Sequence, residues 1–196
     1  PEGRAVRSLN VSIDHLGKPP GSTKRPWEDR GAVSPSGWLE VDLTLRYAIA
    51  CERELRRLGR LVCLLTDGTY AERWERAARS GAACYVACHA DAGGGDRGTV
   101  YYDHRTAESE GRKLAFDVRD VLHGQVPIVP WPVKAAPLGP EDRGWACIHG
   151  VRAPAILVEP GYCDGAALHH LSGEIYATHH ALLWDRGEEI GRALAR

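Results

Sequence analysis

Cys84-Tyr85-Val86-Ala87-Cys88-His89 carries the pattern from which the fold follows. A short uncharged run of strand-like residues ends directly on an imidazole. Leu61-Val62-Cys63-Leu64-Leu65 reads the same way, as a buried strand, and Ala155-Ile156-Leu157-Val158 runs straight into Glu159. Apolar runs this short, bounded by turn residues, are strands rather than helices. Ser8 to Ile13 and Thr99 to Tyr102 are further strands, and Trp145 to Ile148 reads as another.

Helical patterns separate them. Leu39 to Leu58 carries apolar residues at 39, 43, 45, 49, 55 and 58 among charges, which makes an amphipathic helix that Gly59 stops. Thr69 caps a second helix running to about Ser80. A third spans about Thr106 to Leu122, and helical segments close the chain out to Arg196. Gly17 to Gly37 reads as a long loop, and Val126 to Gly144, with five prolines, as an irregular excursion. Strands alternating with helices imply an α/β fold, three layers α/β/α around a mainly parallel sheet. With no internal repeat and no linker, residues 1–196 form a single domain.

The composition narrows the function classes. In 196 residues, 25 basic side chains balance 26 acidic ones for a net charge of -1. No basic surplus draws the chain to nucleic acid. No apolar run reaches the roughly 18 residues of a membrane span, so no membrane partner is expected. Pro1-Glu2-Gly3-Arg4 has no apolar leader, so synthesis in the cytoplasm without a signal peptide is expected, and a monomer with it. The six cysteines show no disulfide framework and read as buried thiols. Cys84 and Cys88 flank His89, but they lie within a strand rather than on a knuckle turn, and are rejected as metal ligands.

In open α/β sheets, ligands bind beyond the carboxyl ends of the strands. His15 follows the strand that ends at Ile13, His89 follows Cys88, and Glu159 follows Val158. Glu40 opens the helix after the long loop, where the chain has returned to the same rim. A carboxylate there also suits the helix dipole, worth under about 1 kcal/mol. Two imidazoles and one carboxylate are the donor set of a hydrolytic Zn2+ site with a fourth position open. A further carboxylate can move the protons of hydrolysis. Glu159 ends so apolar a run that a structural role is hard to give it, since burying an unpaired carboxylate is costly.

Five pieces, in order and spacing, resemble the zinc N-acetylmuramoyl-L-alanine amidases, the family that includes bacterial division amidases and many phage endolysins. The resemblance covers about Leu9 to Leu171. Its pieces are Ile13-Asp14-His15-Leu16-Gly17, Trp38-Leu39-Glu40-Val41-Asp42-Leu43, Leu65-Thr66-Asp67-Gly68-Thr69-Tyr70, Val86-Ala87-Cys88-His89-Ala90-Asp91-Ala92 and Pro154-Ala155-Ile156-Leu157-Val158-Glu159-Pro160-Gly161-Tyr162. Two departures stand out: Asp14 abuts His15 where the family has more glycine, and Cys88 replaces a common Ser. The resemblance implies His15, Glu40 and His89 as zinc ligands, Glu159 as the catalytic proton carrier, and peptidoglycan as substrate. It further implies cleavage between N-acetylmuramic acid and L-alanine. With no leader and no wall-anchoring module in view, a phage or prophage endolysin acting on the wall after release is the expected setting. The rivals are another zinc peptidoglycan hydrolase, an endopeptidase or deacetylase, and a non-catalytic wall-binding module.

Other features take plainer readings. His169-His170 and His179-His180 read as surface residues of a helical tail. Gly93-Gly94-Gly95 precedes a strand rather than a helix, so it is a flexible hairpin and not a phosphate loop. Trp27, Trp38, Trp131 and Trp145 either stack on glycan or belong to the core.

Overall fold

A computed structural model describes residues 9–13, 31–105, 108–128, 130–136, 146–165, 169–171, 174–176 and 178–196. Among them β1 (Leu9–Ile13), β2 (Val62–Leu65), β3 (Cys84–Cys88), β4 (Thr99–Tyr102), β5 (Val133–Ala135) and β6 (Ala155–Glu159) share one sheet in the order β2-β1-β3-β6-β4-β5. The first four in that order are parallel; β4 opposes β6, and β5 runs with β4. The sheet is therefore mostly parallel, as the alternation of patterns implies.

Strand periodicity assigns the layers. Successive side chains of a strand point to opposite faces. Val86, Cys88, Ile156 and Val158 pack with Val11 and Ile13 against α1 (Glu40–Arg57), α3 (Glu108–His123), α5 (His179–Asp185) and α6 (Gly187–Leu194). Tyr85, Ala87, Ala155 and Leu157 pack on the other side against α2 (Tyr70–Arg79) and α4 (Ala146–His149). Both faces of the central strands are covered, which is why β3 and β6 are apolar on both faces, while β1 buries Asn10 and Ser12 on one.

Local chemistry sets the element ends. Glu40 and Asp42 stand in the first turn of α1 and Arg56 and Arg57 in its last, matching the helix dipole at both ends. Gly59, at φ 72°, turns the chain after Leu58. Thr69 accepts from the Glu72 backbone N–H while the Glu72 carboxylate accepts from that of Thr69, the reciprocal box that starts α2. α6 crosses α1 closely at Gly191, where a Cβ would come 2.3 Å from the Tyr47 carbonyl oxygen.

Three expectations are corrected. The stretch expected as a strand at Trp145 to Ile148 forms the one-turn helix α4 where it is described. The proline-rich excursion contains β5. The C-terminal region, expected to consist of helical segments, holds an antiparallel strand pair, β7 (His169–Leu171) with β8 (Glu174–Tyr176), before α5.

Candidate active site

β3 and β6 run side by side and end together. The His89 N–H donates to the Val158 carbonyl at 3.0 Å, so His89, just after β3, and Glu159, the last residue of β6, emerge at one rim. β1 ends level with them, Ile13 opposite Cys88. His15, expected beyond that strand end, lies outside the described residues, as does the long loop from Gly17 up to residue 30.

Glu40 is the first residue of α1 and is buried. One carboxylate oxygen, Oε2, accepts from the Ala32 N–H at 2.8 Å. The other, Oε1, accepts from the Ala90 N–H at 2.9 Å and lies 3.1 Å from His89 Nδ1. Two backbone donors fix the direction of the carboxylate. The Tyr47 hydroxyl, two turns further along the same face of α1, donates to the His89 carbonyl, so α1 grips both the side chain and the backbone of His89. Burial, with Cys88 and Glu40 nearby, holds the Tyr47 phenol well above its usual range, so it remains a donor.

Glu159 is buried at the end of β6, and its Oε2 has no hydrogen-bond partner among the described residues. Burial, reinforced by Asp91 and Glu40 and opposed by His89 and Arg97, raises its carboxyl from 4.5 to about 8. A buried carboxyl whose pKa is raised by burial beside neighbouring charges marks a candidate functional residue.

The loops after β3 and β6 are tied to each other. The Asp91 N–H donates to the Gly161 carbonyl at 2.9 Å, and the Cys163 N–H to the Asp91 carbonyl at 2.8 Å. The Asp164 carboxylate accepts from the N–H groups of Gly93 and Gly94 at 2.9 and 3.0 Å. Both glycines have positive φ, and their amides form the kind of nest that binds anions; here a carboxylate of the chain occupies it. The glycine run is therefore a tied loop, not a free hairpin.

His179 completes the tie and corrects its reading as a surface residue. It is fully buried. Its Nδ1 accepts from the Tyr162 N–H at 3.1 Å, which puts the ring proton on Nε2, 2.8 Å from Asp96 Oδ1. Gly161 and Gly165 make room, since a Cβ at Gly165 would stand 2.6 Å from the imidazole. His180 is buried as well. The side chains of His169 and His170 lie outside the described residues.

Arg73, also unforeseen, is a fully buried residue of α2. Its guanidinium donates to Ser12 Oγ at 3.0 Å and to the Ile13 carbonyl at 2.9 Å, anchoring the end of β1. The one sequence signal for it was an Arg on the apolar side of a capped helix. All six cysteines are free. Trp131 is core, and Trp27 and Trp145 lie outside the described residues.

The donor chemistry suits zinc as far as it is described. Two ligand atoms on one tetrahedral Zn2+ lie roughly 3.3 Å apart for bonds of about 2.0–2.1 Å. The Glu40 Oε1 to His89 Nδ1 separation of 3.1 Å is close to that. Among the described residues no group of three or more His, Cys, Asp or Glu is arranged around a metal position, and His15, the other expected ligand, lies outside them.

Solved structures share this architecture. N-acetylmuramoyl-L-alanine amidase AmiC2 of Nostoc punctiforme matches with a TM-score of 0.74 at 22% identity, over 99% of this chain and 96% of that one. Cwp6 from Clostridium difficile matches at 0.73 and 19% identity over 98% of this chain, which spans only 29% of Cwp6. The catalytic domain of CwlV, N-acetylmuramoyl-L-alanine amidase from Bacillus (Paenibacillus) polymyxa var. colistinus, matches at 0.71 and 17% identity, over 96% and 93% of the two chains. No curated protein matches the chain in sequence. The family model for N-acetylmuramoyl-L-alanine amidase matches residues 20–171, and the chain belongs to that family. The matched stretch contains Glu40, His89 and Glu159 and begins after His15.

Proposed function

We propose that the chain is a zinc-dependent peptidoglycan amidase that hydrolyses the bond between N-acetylmuramic acid and L-alanine. The observation that carries this reading is the meeting of Glu40 and His89 beside a buried Glu159, one oxygen of which has no partner among the described residues, in a chain of the amidase family. His15, Glu40 and His89 are the proposed ligands. When bound, zinc supplies a water acidified to near neutrality and a Lewis acid for the scissile carbonyl.

The chain's own residues do the rest. The amides of Ala32 and Ala90 orient Glu40, and Tyr47 and Val158 fix the backbone of His89. Glu159 takes a proton from the attacking water at its carboxylate and delivers it to the leaving amine nitrogen of alanine. A bound cation would lower its pKa from about 8 toward the working range of a general base.

Digestion of purified peptidoglycan tests the bond. Amino-terminal alanine should appear in step with falling turbidity, with no new reducing sugar ends and no released acetate. Turbidity loss with amino termini from within the stem would replace the amidase by an endopeptidase, and acetate would replace it by a deacetylase. An intact wall would leave a binding module. An endolysin-type role, reached from the cytoplasm after release, is part of the proposal. Purified protein added to cells with permeabilised envelopes should lyse them.

A further inference from the structure

The hairpin leading into α1 and the short helix α5 bring Trp38, His180 and Trp184 together on the surface. Trp38 stacks on the His180 imidazole with centroids 4.2 Å apart and planes inclined by 28°. Trp184 lies 5.4 Å from Trp38 and 6.4 Å from His180, inclined to the imidazole by only 18°. The Arg46 guanidinium sits over the Trp184 ring at 4.9 Å. His180 is the interior member at 6% exposure, whereas Trp38 and Trp184 are 41% and 38% exposed. Burial, opposed by Asp42, lowers the His180 pKa, so a neutral ring backs Trp38.

Two indoles side by side in water forgo a large burial gain, unless something covers them. They are also held in place. Trp38 exchanges bonds with Ser34 across a tight turn, its N–H on Ser34 Oγ at 2.9 Å and its carbonyl accepting from the Ser34 N–H at 2.8 Å. Trp184 lies within α5, which Thr178 caps through the Ala181 N–H at 3.1 Å. Rings fixed in advance lose little entropy when a ligand lands on them.

Their position relates them to the candidate site. Trp38 precedes Glu40 by two residues, so their Cα atoms are at most about 7.6 Å apart. Arg46 lies about 9 Å further along the α1 axis from Glu40. The surface thus starts at the rim and runs outward from it.

We propose that Trp38 and Trp184 form a saccharide-binding shelf for the N-acetylated sugar rings next to the cut, with Arg46 donating to their hydroxyl or acetamido oxygens. The choice of a glycan strand as occupant rests on the amidase reading, because the cleaved amide hangs from a sugar of that strand. The neighbouring ring is covalently attached and must lie close to the candidate site. A pyranose ring with equatorial substituents offers C–H groups on its faces and polar groups around its edge. That matches an indole face flanked by a guanidinium. Two rings make too small an apolar patch for a stable protein interface.

Two measurements test the shelf. In the first, kcat/KM is compared on glycan strands bearing stem peptides and on a single N-acetylmuramoyl peptide. The ratio between the substrates should fall about tenfold in Trp184→Ala and recover in Trp184→Phe, which keeps a stacking ring. In the second, calorimetry with an N-acetylglucosamine tetramer should show binding to the wild type and about tenfold weaker binding to Trp184→Ala. Matching thermal midpoints and zinc contents show that the variants fold. An unchanged substrate ratio together with unaltered or absent oligosaccharide binding overturns the shelf. Oligosaccharide binding without any release of amino-terminal alanine by the wild type supports the shelf and defeats the amidase reading instead.

Discussion

Glu159 shows in one side chain how a site departs from a core. Every other residue of β6 is apolar and buried, and it is buried with them while keeping one oxygen without a partner among the described residues. With its carboxyl raised from 4.5 to about 8, the folded metal-free protein holds a proton there that the unfolded chain releases. Stability should therefore decline as pH rises from about 4.5 and level off above about 8, the reverse of a salt-bridged carboxylate. Urea unfolding in chelator at several pH values should show this decline, and Glu159→Gln should flatten it. The same variant should keep its zinc and lose roughly 100-fold or more in turnover, because shape survives and the exchangeable proton does not. Loss of zinc with activity would move Glu159 into the coordination shell, and near-normal turnover would remove it from the mechanism.

At the scale of elements, the loops after β3 and β6 behave as one unit because His179, Asp164 and the Asp91 backbone join them. His179→Gln can still reach Asp96 but not the Tyr162 amide, and His179→Asn does the opposite. Both should lower kcat while retaining zinc, since each releases one of the two loops that set Glu159 against His89. Zinc loss in either would instead assign His179 to the integrity of the metal site. The α1–α6 crossing makes a separate demand. Gly191→Ala forces a methyl against the Tyr47 carbonyl and should cost about 1–3 kcal/mol, read as a lower thermal midpoint. The central strands and long helices were legible in the sequence because their signals are local: uncharged runs, a capping threonine, a terminal glycine. α4 was read as a strand because Trp145-Ala146-Cys147-Ile148 is apolar and too short for periodicity to separate the two. Glu40, His89 and Glu159 stood out because strand ends and helix starts converge. The roles of His179 and Arg73 did not, because both arise from tertiary contacts with segments distant in sequence.

For the whole molecule, the proposed zinc site joins parts of the chain that only the complete fold brings together. Glu40 begins a helix on one face of the sheet, and His89 directly follows a central strand. An unfolded chain holds no such pair at 3.1 Å, so a metal bound there favours the folded state over the unfolded one. That linkage is worth about 4 kcal/mol when free zinc exceeds its dissociation constant 1,000-fold. One zinc per chain is expected by elemental analysis. Removing it with chelator should lower the thermal midpoint and abolish wall hydrolysis, and adding zinc back should restore both. His89→Ala removes a donor but not the backbone bonds to Tyr47 and Val158. It should therefore lose the zinc-dependent rise in midpoint while its zinc-free midpoint stays near that of the wild type. Cys84→Ser and Cys88→Ser should retain the rise, since neither thiol is a proposed ligand. If the His89→Ala protein is stabilised by zinc as strongly as the wild type, the metal binds elsewhere and the assigned site is wrong.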